Sequence, residues 1–146
     1  MEHQDGARTT SQSVVITVPG LPRGKARPRV TRFNTYTPDP GGWVADVTAR
    51  GMEAVNQSGW EITNEPVAMQ VSITRQIPKG RSKKARMEAL GKPVSATADL
   101  INIVAAICDG LENVVYANDR QVARIESDRV WGEQHTTIIT VSTIKI

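Results

Sequence analysis

The feature that most constrains this chain is a change in hydrophobic period along its length. Between Ala98 and Leu111, the residues Leu100, Ile103, Val104, Ile107, Cys108 and Leu111 recur at the spacing of one apolar stripe, the pattern of a helix with a single face to bury. Elsewhere the period is two. Val67, Met69, Val71 and Ile73 alternate with Ala68, Gln70, Ser72 and Thr74, so one face of a strand goes to the core. Ser13 to Val18 is β-branched and stops at Pro19-Gly20, as a strand running into a loop does. A chain of 146 residues is long enough to bury one real core and matches the size of one ordinary domain. The reading is therefore α+β, a single domain with a mixed β-sheet and helices packed on it.

The remaining elements are less sharply marked. Trp43 to Gln57 reads as a weaker helix closed by turn formers between Asn56 and Asn64. Ser82 to Leu90 reads as a short helix with Ser82 at its N-cap and Gly91 just past its end. Gln121 to Val130 and Thr136 to Ile146 are expected to form a C-terminal hairpin turning near Gly132-Glu133. Residues 1–12 are polar, of mixed charge and without an apolar core, so they are expected to be a flexible tail preceding a domain over 13–146. No apolar run approaches the roughly 18 residues of a membrane span, and a cytoplasmic location is expected. A single cysteine, Cys108, excludes an intrachain disulfide or a cysteine-rich zinc framework, and its place on the apolar stripe marks it as a small core residue.

Charge is modest in total, +3, and uneven in placement. One cluster holds Arg23, Lys25, Arg27, Arg29 and Arg32 within a Pro- and Gly-rich loop that runs from Gly20 to Gly42; Pro22 and Pro28 argue against a regular helix there. The other holds Lys79, Arg81, Lys83, Lys84 and Arg86. Neutralising phosphates is the physical use of such clusters, because each contact releases condensed counterions. Solvated surface loops are the alternative for either cluster alone. The aromatic residues are scattered and form no base-stacking motif, so a general RNA-binding module ranks last. Of the two histidines, His3 falls in the tail, and His135, beside the last turn, reads as a surface residue rather than a general base.

On the stripe helix, Asp99 is suited to the first turn or cap, where the helix dipole favours a carboxylate. Ile101 lies about 100 degrees off the stripe, with Ala105 on the same flank one turn later. Ile101 either widens the core face or stands where a polar residue would be expected. The stretch Asp99-Leu-Ile101-Asn102-Ile-Val-Ala105-Ala-Ile-Cys-Asp109-Gly-Leu111, followed by Asn118-Asp119-Arg120-Gln121, resembles the RusA family of Holliday-junction resolvases. That family's signature reads Asp-x-Asp-Asn-x-x-Lys-x-x-x-Asp-x-Leu and then Asp-Asp-x-Gln. Gly24-Lys25-Ala26-Arg27-Pro28-Arg29 with Tyr36-Thr37-Pro38 is similar to its basic N-terminal loop, and Pro78-Lys79 with Ser82-Lys83-Lys84 to a later segment.

The resemblance implies a homodimer that binds four-way or otherwise branched DNA and cuts it with Mg²⁺, or with Mn²⁺ as an alternative ion. It implies Asp99 and Asp119 as catalytic carboxylates and metal ligands, and Asn102 as a residue that orients the site. Arg23, Lys25, Arg27, Arg29, Arg32, Lys79, Lys83 and Lys84 are the DNA-binding set. Asp119 also reads as a plain turn residue, and Asp109, outside the first-turn cluster, as structural support. Two of the implied active-site positions depart from the signature: Ile101 stands for the second carboxylate and Ala105 for the lysine. An isoleucine offers Mg²⁺ no oxygen, so metal binding should be weakened and cleavage poor or absent while fold and DNA binding survive. The alternative is a non-catalytic protein that binds branched DNA, or docks a partner through the apolar Ile101/Ala105 flank.

Overall fold

The computed structural model describes residues 11–95 and 100–144. In chain order its elements are β1 (Ser13–Pro19), a ribbon of β2 (Arg29–Val30) and β3 (Thr35–Tyr36), α1 (Trp43–Ser58), β4 (Val67–Gln76), α2 (Lys83–Ala89), α3 (Leu100–Leu111), β5 (Val122–Gly132) and β6 (Thr136–Thr143). The tail expected over residues 1–12 falls almost wholly outside the described residues, as do Thr97 and Asp99.

Period decides which side chains are buried. Val14, Ile16 and Val18 of β1 and Val67, Met69, Val71 and Ile73 of β4 turn inward, together with Ile139 and Val141 of β6. The stripe residues Ile103, Val104, Ile107 and Leu111 of α3 close over them, and α1 adds Trp43 and Val47. Two buried polar groups are paired to backbone carbonyls: Tyr116 donates its hydroxyl to the Cys108 carbonyl at 2.7 Å, and Trp60 Nε1 donates to Val115 O at 2.9 Å. The short helix is capped as expected, with Ser82 Oγ accepting from Ala85 N–H and Gly91 in a left-handed conformation beyond the end.

The expected C-terminal hairpin is not formed. The sheet order is β1-β6-β4-β5, with β4 parallel to β5 and antiparallel to β6, so β4 lies between the two strands that were expected to pair. Alternation specifies a strand's buried face and says nothing about its neighbour. Glu133–His135, extended, reach about 10 Å, which matches two inter-strand spacings of about 4.8 Å. This connection is fastened to the end of β4: Gln76 N–H donates to His135 Nδ1 at 3.1 Å, and Ile77 N–H donates to Gly132 O at 3.0 Å. A side chain on Gly132 would collide with Thr74.

His135 is thus half-buried and caps a strand end, rather than lying free on the surface. Burial, then the charge of Arg75, lowers its pKa below the ordinary value. A histidine whose folded pKa is depressed contributes stability that is complete above the unfolded pKa and is lost as pH falls toward the folded one. Between about pH 7 and pH 5 the chain should therefore lose stability, and His135→Asn should flatten that dependence, measured by urea denaturation at each pH. An equal slope in both proteins would remove His135 from the account.

Strand direction also gathers the charge. β1, β4 and β5 run the same way, so the loops after β1 and β4, which carry the two basic clusters, leave one end of the sheet. The segment 91–94 pairs with Arg129–Trp131 toward that same end of β5. The segment from Gly20 to Gly42, expected to be irregular, contains the small β2–β3 ribbon, whose Thr31–Asn34 turn is closed by Thr31 N–H to Asn34 O at 2.6 Å.

Candidate nucleic-acid interface

The basic loops are solvent-facing. Arg23, Arg27, Arg29 and Arg32 are exposed, as are Lys79, Arg81, Lys83 and Lys84. At the ribbon's tip Arg32 lies 5.6 Å from the Phe33 ring centre, and Phe33 is 91 % exposed, an aromatic residue that nothing in the sequence distinguishes from the other scattered ones. Arg81 of the second cluster and Arg75 of β4 lie 5.3 and 6.0 Å from the Trp131 ring centre, and the Arg81 contact ties that loop to β5.

Lys25 is exposed as well but is held to α3. Its Nζ lies 2.9 Å from Asp109 Oδ2, its N–H donates to Asn102 O at 3.1 Å, and its carbonyl accepts from Asn102 Nδ2 at 2.9 Å. The hydrogen bond and charge of Asp109, with a smaller contribution from Asp119, raise the Lys25 pKa and keep the ammonium charged. The loop therefore lies on α3. Asn102 and Asp109, each partly exposed, meet the chain there. Asp109, read from sequence as outside the site, is the ionic partner of a residue assigned to DNA.

Ile101 does not widen the core. Its side chain is 81 % exposed on the flank of α3 that also bears Ala105. With Val104, Cys108, Ile125 and Ser127 these residues line a shallow groove of about 300 Å³ between α3 and β5. Cys108 is only half-buried, a correction to its reading as a core residue. Burial raises its thiol pKa against the opposing Tyr116 hydrogen bond, so the unreactive thiol form is favoured.

Asp119 stands just before β5. Its N–H donates to Glu112 Oε2 at 3.0 Å, and its charge is felt at Lys25, Cys108 and Tyr116. The turn around it is made by its neighbours: Asn118 Oδ1 accepts from Arg120 N–H, Gln121 Oε1 accepts from Asn118 N–H, and Gln121 Nε2 reaches the carbonyls of Thr63 and Glu65. Among the described residues the caps of this turn come from Asn118 and Gln121 rather than from the Asp119 carboxylate. Asp99 lies outside the described residues. Among those described, no three His, Cys, Asp or Glu side chains stand together as a group able to hold a metal ion, and Ile101 brings no oxygen to one. The described side chains do not fit a complete Mg²⁺ site.

No helix among the described residues is long and apolar enough to cross a membrane. Comparison with individual curated proteins returned no match. Comparison with family profiles matches residues 19–142 to endodeoxyribonuclease RusA. That span contains both basic loops, α3 with Ile101 and Ala105, Asp119 and β5, in a mixed-sheet α+β domain. The chain belongs to the RusA endodeoxyribonuclease family.

Proposed function

We propose that this protein is a Holliday-junction resolvase in scaffold, a cytoplasmic homodimer that binds four-way DNA junctions while its Mg²⁺-dependent phosphodiester hydrolysis is impaired. The observation that carries the reading is Ile101, a large apolar side chain 81 % exposed on the helix flank where the family's signature has a carboxylate. An exposed isoleucine adds little to the core and removes a metal-binding oxygen. Ala105, one turn on, removes a cation that would face the phosphate. Asp99 and Asp119 are the remaining proposed ligands. The convergence of both basic loops at one end of the sheet supports DNA binding, with Arg23, Arg27, Arg29, Arg32, Lys79, Lys83 and Lys84 as phosphate contacts. The outer position of β5 in the sheet supports symmetric pairing of two copies.

A second reading, a binding derivative that docks a protein through the Ile101/Ala105 groove, is favoured by that groove's apolar lining. Salt separates the two. Six or more phosphate contacts should make junction affinity fall about 10³-fold between 50 and 200 mM salt, whereas an apolar protein contact changes little. Affinity for a labelled four-way junction, titrated across that range with Mg²⁺ cleavage scored in parallel, tests the proposal. Steep salt dependence with background cleavage supports it; ready cleavage ends the claim of impairment, and absence of junction binding ends the claim of a DNA partner.

A further inference from the structure

We infer that Asn102 and Asp109 are positioning residues that latch the first basic loop onto α3, so that two side chains without positive charge set how tightly the protein holds DNA. The inference rests on the DNA-binding reading above and adds to it a mechanism of preorganisation.

Lys25 is held at three points. Its N–H and carbonyl make reciprocal hydrogen bonds with Asn102, at 3.1 and 2.9 Å, and its Nζ meets Asp109 at 2.9 Å. Asn102 and Asp109 are seven residues apart on one helix, so the backbone and side-chain contacts of Lys25 together span about two turns of α3. The fit is close: a Cβ on Gly24 would come within 2.7 Å of Asn102 Nδ2, so a side chain there would push the Asn102 amide away from the Lys25 carbonyl. On either side of this point the arginines at 23, 27, 29 and 32 are exposed. Pro28 stiffens the chain between Lys25 and the ribbon that begins at Arg29. Fixing Lys25 therefore restricts where Arg27, Arg29 and Arg32 can go before DNA arrives, which lowers the ordering cost of binding. The Lys25 charge is itself spent on Asp109, so its part is to anchor the loop.

The sign of one substitution separates this from simple electrostatics. Deleting a negative charge beside a polyanion should tighten binding; deleting a latch should weaken it. Asn102→Ala, Asp109→Asn and Gly24→Ala, each in the full chain, are compared with the parent in two measurements. One is limited trypsin digestion, scored for cuts after Arg23, Lys25 and Arg29. The other is affinity for a four-way junction at fixed salt, with thermal unfolding to show that each variant folds; alanine at 102 is a better helix former than asparagine. Expected are faster cutting within the loop and about fivefold weaker junction binding in all three, Asp109→Asn included. Cutting at the parent's rate overturns the latch. Faster cutting with unchanged or tighter binding overturns its role in DNA affinity. A parent that binds no junction overturns the functional reading and the DNA role together, and the digestion alone then decides whether the latch exists.

Discussion

The Ile101→Asp/Ala105→Lys double variant should cut a four-way junction in Mg²⁺ at least about 100-fold faster than the parent chain, since removing a single charge-stabilising group from an active site typically costs 10²–10³ in rate. The structure makes the change inexpensive. Ile101 is 81 % exposed, so an aspartate there loses almost no apolar burial and meets no desolvation penalty. Position 105 lies on the same flank and four residues before Asp109, within reach of its carboxylate across one helical turn. A lysine at 105 would share Asp109 with Lys25, so the single Ala105→Lys variant should also loosen the basic loop slightly. The measurement is single-turnover cleavage with both proteins saturating the junction, so that binding does not enter. Cleavage by the double variant alone identifies a resolvase scaffold disabled at two positions. Background cleavage by both, with junction binding intact, would favour the non-catalytic reading.

The second large effect concerns stability. Gly110→Val should destabilise the domain by about 2–3 kcal/mol, although valine is the better helix former by roughly 0.5 kcal/mol. A Cβ at 110 would stand 3.0 Å from Val47 Cγ1 and 3.3 Å from the backbone oxygen of Val44, where α3 crosses α1. The side chain of Val47 is fully buried, and a backbone carbonyl has little room to give. Overpacking therefore outweighs the propensity gain. Thr48 Oγ1 donates to Gly110 O at 2.7 Å across the same contact, and separating the helices would strain that bond as well. Urea denaturation of parent and variant measures the difference; equal midpoints would show that the helices can part at no cost.

Much of the fold was legible because burial follows period. The alternation in β4 named the residues that prove buried, the stripe on α3 named Ile103, Val104, Ile107 and Leu111 together with the half-buried Leu100 and Cys108, and Ser82 and Gly91 marked the ends of α2 because capping is a local interaction. The pairing of β5 was not legible. Its exposed stretch from Ala123 to Asp128 carries no clear alternation, and no local pattern states that Glu133–His135 would step over β4 to pair β6 on the other side. Gly110 could be read only as a weakness in a helix, since the reason for it lies on α1.

The candidate site divides in the same way. By itself the sequence determined that Ile101 and Ala105 share one flank of α3, because helix geometry places residues four apart together; that Asn102, Asp109 and Asp119 hold signature positions is what the resemblance to the family implies. It also determined that basic charge falls in two loops. Only the tertiary structure decided that both loops leave the same end of the sheet, that Ile101 faces solvent, and that Lys25 is anchored to Asn102 and Asp109. Each of those depends on segments far apart in the chain coming together, and hydrophobic periodicity carries no record of which distant residue a charged side chain will meet.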